Sequence, residues 1–389
     1  MSVLTSKQAT DLRGYGRLIA VAASEVTTVA ESLHLTIARW PALFGAAPAR
    51  TTRGITGMVY DAIHAATWLA ARAIDAALAA LTPWLPEGAP TPRQEAVRAA
   101  VNGVCGDYLA ATANPLAIPM RLRRNGHPLI LTRAHLAEAI PEASGSVVVL
   151  VHGLCTNDLH WRRHGHDHGV ALARDLGCTP VYLHHNSGRQ IGENGREFAA
   201  LLETLAAQWP VPLQELTIIG HSMGGLIARS AVAAGNAAQH AWPGRLRRLV
   251  FLGTPHHGAP LERLGSWVET ALRASPYSAP FARLGAARSA GITDLRHGTV
   301  IAGRSSVALP AGVDCFAIAA TIGERRRPLR DRLVGDGLVP LDSALGRHAR
   351  AERTLAFPAE RQWIARRTTH LDLLAGTDVY RQLHAWLAG

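Results

Sequence analysis

The hydrophobic and polar positions in the first third of the chain follow a helical pattern. Residues 7–39 and 56–82 are Ala-rich and lack internal proline, and a Pro/Gly/Thr-rich stretch that begins with Trp40 and Pro41 separates them. This pattern predicts two long helices. A further helical stretch covers residues 93–111. We therefore predict an N-terminal helical region at residues 1–111, made of a helical hairpin and a third helix.

The pattern changes to strands near residue 112. Residues 117–124 and 128–133 flank Asn125 and Gly126, a pair that supplies the positive φ angles of a tight β-hairpin turn. Short apolar β-branched runs then alternate with helical stretches. The runs cover residues 147–151, 181–184, 216–219, 249–252 and 315–319. Strands that are apolar on both faces are typical of a parallel sheet covered by helices. Residues 112–389 are therefore predicted to form an α/β domain.

The second helical stretch carries a narrow polar stripe on an otherwise apolar surface. Its members at helical spacing are Asp61, His64, Trp68, Arg72 and Asp75. The three charges argue against a helix that crosses a membrane. Two interpretations stay open: a hairpin packed on the main domain, or a helix at a membrane surface or a dimer interface. No signal peptide or transmembrane helix is evident, so a cytoplasmic or peripherally membrane-associated protein is expected.

Composition and charge exclude some function classes. The 389 residues are 48% hydrophobic and 18% charged, which excludes a disordered chain. The balance of 40 basic and 29 acidic residues gives a net charge of +11, but Lys7 is the single lysine and the arginines are scattered. No nucleic-acid-binding motif accompanies the charge, so we expect no nucleic-acid partner. The four cysteines form no CxxC pair and are predicted to be buried thiols.

One segment has the pattern of a catalytic serine turn. Ser222 lies in the sequence Gly220-His221-Ser222-Met223-Gly224, directly after a predicted strand and directly before a predicted helix. Glycines on both sides of the serine permit a strained strand-to-helix turn that exposes the hydroxyl above a sheet. The helix N-terminus behind it favours developing negative charge. Ser222 is therefore the candidate nucleophile.

A serine nucleophile requires a base, and the base requires an acid that orients it. His370 is the candidate base because it falls on a loop between a predicted strand at 353–357 and a helix beginning near Leu371. The alternatives, His348 and His384, fall in predicted helices.

Asp336 is the candidate acid because it lies between two glycines and follows the strand at 315–319. Asp342 is the reserve candidate, and the other aspartates considered are Asp294, Asp314 and Asp331.

The oxyanion hole of such a site needs two backbone N–H groups. Met223, which follows the nucleophile, is predicted to supply one, and Leu154, in the loop after the first parallel strand, the other. His152 is interpreted as a histidine that is hydrogen-bonded beside this loop, without a role in proton transfer.

Two other polar clusters have no assigned chemistry. The histidines at 160, 164, 166 and 168 with Asp167, and the pair His184-His185, fit no standard zinc spacing and are predicted to be solvated surface. The five arginines between residues 325 and 332 are predicted to form a solvated flank, with anionic lipid headgroups as the alternative partner. We expect no metal and no cofactor.

These motifs resemble those of the α/β-hydrolase serine lipases and esterases, in particular the branch that contains GPI inositol-deacylase-like proteins and bacterial triacylglycerol lipases. The shared segments cover residues 152–154, 220–226, 253–258, 336–340 and 370–372, in that order. The resemblance spans roughly residues 146–388 and leaves the first 110 residues outside it. It implies a mostly parallel sheet with helices on both faces.

The resemblance also implies hydrolysis of a carboxylic ester bond of a lipid-like substrate through an acyl-Ser222 intermediate. The alternatives are an acyltransferase or thioesterase that uses the same three residues, and a non-catalytic lipid-binding scaffold. In such lipases the segment after residue 258 forms a lid, here about 259–290, and an ordinary packed cap is the other interpretation. Asp372 stands where some related bacterial lipases bind calcium, but no second ligand is identified.

Overall fold

The computed structural model describes residues 5–38, 55–85, 88–260, 289–301, 307–323 and 335–389. The chain divides into two compact units, the first made of Met1–Thr91 and Ala111–Leu116 and the second of Pro92–Ala110 and Ala117–Gly389. The predicted third helix thus groups with the second unit, while the domain boundary near residue 112 stays a prediction. The predicted lid at 259–290 and the arginine flank at 325–332 lie almost entirely outside the described residues.

The first unit contains the two long helices that the sequence predicts, α1 (Ser6–Ala38) and α2 (Ile55–Leu81), and a 3-10 turn at Thr82–Trp84 follows α2. Among the described residues, the stretch Thr56–Trp84 is long and apolar enough to cross a membrane by length and composition alone. The expectation that no such helix is evident is supported in part, since the described residues contain one weakly apolar candidate in an exposed position.

The second unit is built around one eight-stranded sheet in the order β2-β1-β4-β3-β5-β6-β7-β8. Its strands are β1 (Arg121–Arg124), β2 (His127–Pro128), β3 (Ser146–Val151), β4 (Thr179–His184), β5 (Glu215–His221), β6 (Leu246–Leu252), β7 (Asp314–Thr321) and β8 (Gln362–Arg366). β3 to β8 pair in parallel, and β1 pairs antiparallel with β2 and β4. This arrangement confirms the predicted α/β fold class.

Helices cover both faces of the sheet. They are α3 (Pro92–Ala111), α4 (Arg133–Ala139), α5 (His168–Leu176), α6 (Ile191–Gln208), α7 (Met223–Ala237), α8 (Ala290–His297), α9 (Leu341–Ala344) and α10 (Thr377–Ala388). Short 3-10 turns lie at Asp158–Trp161, Trp242–Arg245, Ala351–Arg353, Ala359–Arg361 and Asp372–Leu374.

Alternate residues of the central strands belong to two separate cores, because successive side chains of a strand point to opposite faces. On one face, Leu150 of β3 and Ile318 of β7 pack in a cluster with Leu172 of α5 and Leu383 of α10. The residues between them, such as Val149 of β3, are equally buried on the other face. The sheet is therefore enclosed, and its strand ends carry the loops that reach solvent.

Two local predictions differ from the structure. The hairpin turn forms at Asn125 (φ 53°) and Gly126 (φ 79°), but β2 is only two residues long and α4 follows at Arg133–Ala139. The strand expected at 353–357 does not form, and the edge strand β8 instead pairs with β7 at Gln362–Arg366. The helix expected near Leu371 begins as a 3-10 turn at Asp372–Leu374, followed by α10.

Candidate active site

Ser222 occupies a single-residue turn between β5 and α7. Its backbone angles, φ 55° and ψ −125°, lie in a region that non-glycine residues rarely adopt. Such strain persists only where the surrounding structure holds it. The Ser222 N–H donates a hydrogen bond to the Leu252 carbonyl at 2.8 Å, which fixes the turn to the end of β6. The residue is buried, and the turn has the geometry predicted for it.

The glycines near Ser222 allow the turn to pack closely on neighbouring backbone. A Cβ atom at Gly220 would lie 2.5 Å from the Cα atom of Gly225, and one at Gly224 would overlap the carbonyl oxygen of Val151 at the end of β3. At both positions a larger residue would push the first turn of α7 away from the sheet. The local sequence therefore sets where Ser222 lies.

His370 and Asp336 lie together and are both buried. The Nδ1–H of His370 donates to Oδ2 of Asp336 at 2.7 Å, and the other carboxylate oxygen accepts the N–H groups of Leu338 (3.0 Å) and Val339 (2.8 Å). The His370 N–H also bonds the Asp336 carbonyl oxygen at 3.2 Å. Because a carboxylate only accepts, this arrangement places a proton on Nδ1, so Nε2 is the ring nitrogen that Asp336 does not engage.

The His–Asp pair lies next to the Ser222 turn. His221 immediately precedes the serine, and its Nε2–H donates to the His370 carbonyl oxygen at 2.9 Å, with the two ring centroids 4.6 Å apart. A Cβ atom at Gly253, the residue after β6, would lie 3.2 Å from both His370 Cε1 and Asp336 Oδ2. The ends of β5, β7 and β8, which Ser222, Asp336 and His370 respectively follow, thus bring the three predicted residues to the same edge of the sheet.

The two predicted oxyanion donors belong to backbone segments that flank Ser222. Met223 is the first residue of α7, where N–H groups have no partner within the helix. Leu154 lies in the loop after β3, and a Cβ atom on its neighbour Gly153 would lie 2.9 Å from the Ser222 Cβ atom. Cys155 next to it adopts a positive φ of 59° and donates its N–H to Ser187 Oγ. The loop therefore turns sharply, directly against Ser222.

Neutral histidines pack beside this loop. His152 donates from Nδ1 to the Gly153 carbonyl oxygen at 2.9 Å and accepts the His185 N–H at Nε2. Its ring stacks on that of His185 with centroids 3.9 Å apart. Burial lowers the pKa of His152 well below its usual value and that of His185 to about 3. His152 thus has the hydrogen-bonded position that the sequence analysis assigned to it.

A buried ionic cluster near the loop was not anticipated from the sequence. Arg123 of β1 donates from Nη1 to Oε2 of Glu95 (3.0 Å) and Oδ1 of Asp158 (2.9 Å). Burial, followed by the repulsion from Glu95, raises the pKa of Asp158 to about 6. Asp158 begins the 3-10 turn four residues after Leu154, so the cluster fixes the far end of the loop that follows β3. No sequence motif marks these three residues.

The predicted solvated histidines are partly buried, and that prediction is wrong for several of them. His184 and His185 are buried, and His168 is buried with its Nε2–H donated to the Leu373 carbonyl oxygen at 3.0 Å. Burial lowers the pKa of His168 to about 4. Asp167 caps α5 by accepting the Val170 N–H. Within the part of the chain that the structure describes, no group of three or more His, Cys, Asp or Glu side chains could hold a metal ion.

The other predicted candidates lie apart from the His–Asp pair. Asp294 accepts the Ile191 N–H at the start of α6, and Asp314 pairs with Arg361. His348 lies in an exposed turn where its Nδ1 accepts the Arg350 N–H. The carboxylate of Asp372 accepts the N–H and hydroxyl of Thr369 within a local turn. The residue that sequence reasoning missed is His221, although it stands inside the serine motif itself.

Comparisons with known proteins agree with this architecture. Residues 199–303 match the sequence profile of the PGAP1-like alpha/beta domain, which is less than half of the chain. No curated protein sequence matches the chain.

Three solved structures illustrate the similarity. The mature lipase BlEst2 of Bacillus licheniformis is 18% identical, with 69% of this chain and 97% of that chain covered and a TM-score of 0.43. A lipase-esterase related protein of Clostridium acetobutylicum is 13% identical (69% and 98% covered, TM-score 0.36). A thermophilic esterase of Thermogutta terrifontis is 15% identical (71% and 96% covered, TM-score 0.37). The parallel sheet confirms the predicted α/β fold class, and the profile match over residues 199–303 agrees with it.

Proposed function

We propose that this chain is a serine hydrolase that cleaves carboxylic ester bonds of lipid-like substrates through an acyl-Ser222 intermediate. The observation that carries the proposal is the buried 2.7 Å hydrogen bond between His370 and Asp336 beside the strained Ser222 turn. A nucleophile, a base and an orienting acid in this order and arrangement are the parts that serine ester hydrolysis requires.

In the first half of the reaction Ser222 Oγ attacks the ester carbonyl carbon while His370 Nε2 takes the hydroxyl proton. The carbonyl oxygen becomes the oxyanion of a tetrahedral intermediate. When the intermediate collapses, the bond to the alkoxy oxygen breaks and His370 returns the proton to the departing alcohol. Asp336 holds the ring orientation and stabilises the imidazolium that forms between these two transfers.

The N–H groups of Met223 and Leu154 are the proposed donors to the oxyanion. Such donors act where charge develops, and the removal of one costs about 3 kcal/mol of transition-state stabilisation in comparable enzymes. The position of Met223 at the N-terminus of α7 adds the positive end of the helix dipole to the same point.

In the second half water replaces the alcohol. His370 takes a proton from the water as its oxygen attacks the acyl carbon, and a second tetrahedral intermediate forms at the same donors. Collapse breaks the bond to Ser222 Oγ, the serine regains its proton from His370, and the carboxylic acid leaves. No cofactor takes part in the proposed cycle.

The test is steady-state hydrolysis of p-nitrophenyl esters from acetyl to palmitoyl by wild type and Ser222→Ala. A matched control is Ser230→Ala, which removes another buried serine hydroxyl on α7. We expect turnover in wild type and Ser230→Ala and none in Ser222→Ala. An organophosphonate should label wild type and leave Ser222→Ala unlabelled. A folded wild type that neither turns over an ester nor takes the label would refute the proposal.

The destination of the acyl group is measured in the same experiment. Product analysis with an added alcohol shows whether the acyl group goes to water or to the alcohol, which separates a hydrolase from an acyltransferase. A thioester substrate tests the thioesterase alternative in parallel. The dependence on acyl chain length separates an esterase from a lipase.

A further inference from the structure

The outer surface of α2 is apolar although it is exposed. The residues of this helix that are partly shielded from solvent recur at helical spacing, whereas Met58, Leu69 and Ile74 are more than half exposed. None of the apolar window in Thr56–Trp84 is buried inside the described structure. A helix that is apolar around most of its circumference is normally covered by protein or lipid.

Two polar groups of α2, those of His64 and Asp75, are turned toward α1. Asp75 accepts hydrogen bonds from Arg13 (3.1 Å) and Arg17 (2.7 Å), and His64 Nδ1 lies 2.8 Å from Ser24 Oγ. These interactions engage two members of the predicted polar stripe, His64 and Asp75, within the hairpin. The side of α2 opposite to α1 is left with almost no polar groups.

The exposed apolar residues of α2 form one continuous arc. At 100° per residue, Met58, Val59, Ile63, Leu69 and Ile74 cover about 160° of the helix surface. The other positions within the arc are occupied mainly by alanine. We call these five residues and the alanines between them the apolar arc. It is wider than the two-position seam that a coiled-coil partner requires.

The charges on the outer surface lie beside the apolar arc rather than within it. On the same helical projection Asp61 and Arg72 fall about 20° apart on one flank, together with Trp68. The guanidinium of Arg72 lies 5.1 Å from the centre of the Trp68 ring. A helix with uncharged apolar residues on one side and charges at the border matches the cross-section of a helix at the surface of a bilayer.

The sequence between the two helices is complementary to an anionic lipid surface. Residues 39–54 contain Arg39, Arg50 and Arg53 and no acidic residue. Basic residues next to a membrane-bound helix are attracted to the negative headgroups. A second copy of the same chain offers no such complementary charge in this segment.

We propose that α2 lies along the surface of a lipid bilayer with its apolar arc among the acyl chains. The charged flank of Asp61 and Arg72 then lies at the level of the headgroups, and α1 covers His64 and Asp75 from the other side. This arrangement concerns the first unit alone and does not depend on the chemistry proposed for Ser222.

The first test is co-flotation of the full chain with phosphatidylcholine vesicles in 0.5 M NaCl. We expect wild type to float with the vesicles and Leu69→Glu/Ile74→Glu to lose at least tenfold in bound fraction, because the new charges would enter the acyl region. The matched control is Ile130→Glu/Val170→Glu, which changes two exposed apolar residues of the second unit and should float as wild type does. Added anionic lipid should strengthen binding at low salt.

The second test uses wild type and keeps the proposal falsifiable if the charged variant does not fold. Vesicles with brominated acyl chains should quench part of the tryptophan fluorescence, and Trp68→Phe/Trp84→Phe should reduce that quenching. Three results would overturn the proposal: no flotation with vesicles of either composition, binding that requires anionic lipid and vanishes in 0.5 M NaCl, or a dimer in solution that Leu69→Glu/Ile74→Glu dissociates without any vesicle binding.

Discussion

His185 is a buried neutral imidazole, and its protonation is expected to be a major cause of unfolding in acid. The residue follows β4 and stacks on His152. Neither of its ring nitrogens has a hydrogen-bond partner within the described residues. Burial, with a smaller effect from His184, lowers its pKa to about 3. The His185 ring therefore binds a proton much more weakly in the folded chain than in the unfolded chain.

The sign and size of the effect follow from the difference in pKa. In the unfolded chain a histidine has a pKa of about 6.5. Between this value and the folded value the unfolded state binds more protons, so stability is full above pH 6.5 and is lost as pH falls. At pH 5, about 1.5 units below the unfolded value, the loss is about 2 kcal/mol for His185. His168, with a pKa of about 4, adds a similar loss. Together they remove about 4 kcal/mol from a stability that is typically 5–15 kcal/mol.

The variant His185→Phe isolates this contribution because it keeps an aromatic ring against His152 and titrates nothing. Urea unfolding at pH 7.5, 6 and 5 should show that the variant loses about 2 kcal/mol less than wild type between pH 7.5 and 5. Tryptophan fluorescence is a suitable signal, since Trp161, Trp209 and Trp242 are all buried in the second unit. Leu183→Ile, a neighbouring non-titrating substitution in β4, should lower stability equally at every pH. An equal pH dependence for wild type and His185→Phe would refute the reasoning.

Three further predictions concern the candidate active site, all measured as kcat on a short p-nitrophenyl ester. Asp336→Asn should lower kcat about 10⁴-fold without unfolding the protein, because an amide can hold His370 in the wrong tautomer; a loss below tenfold would speak against this acid. Gly153→Ala should lower kcat at least tenfold, since the new methyl group would lie 2.9 Å from the Ser222 Cβ atom, and a variant as active as wild type would contradict that geometry. His221→Leu removes the hydrogen bond to the His370 carbonyl oxygen and should lower kcat about tenfold with little change in KM, which an unchanged kcat would disprove.

The parts of the site that could be predicted from sequence are those that short segments determine locally. The strand, the glycines and the helix around Ser222 are contiguous, so their order alone indicates the turn. The glycines on either side of Asp336 likewise mark a loop, with φ 56° at Gly335 and 96° at Gly337. The functional roles of these residues stay predictions until they are measured.

The parts that could not be predicted depend on contacts between distant segments. The polar character of its segment led to the prediction that His168 lies at the surface. The structure instead buries it, because its ring donates a hydrogen bond to a carbonyl group 205 positions away in sequence. The run at 353–357 and Gln362–Arg366 each contain three apolar residues in five, but only the latter forms a strand, β8, because it has β7 as a neighbour. An edge strand with one pairing partner needs no strong alternation of its own. Sequence pattern is least informative where tertiary pairing decides.

The hydrogen bonds around Asp336 indicate where the chain should tolerate changes in its length. The carboxylate is held by N–H groups two and three residues downstream, and the preceding Gly335 carbonyl oxygen accepts the Ile322 N–H just after β7. None of these contacts involves residues 324–334. Insertions or deletions in that interval should leave the carboxylate where it is. A peptide tag inserted in that interval should therefore leave the His370–Asp336 hydrogen bond intact, which ester turnover by the tagged chain would test.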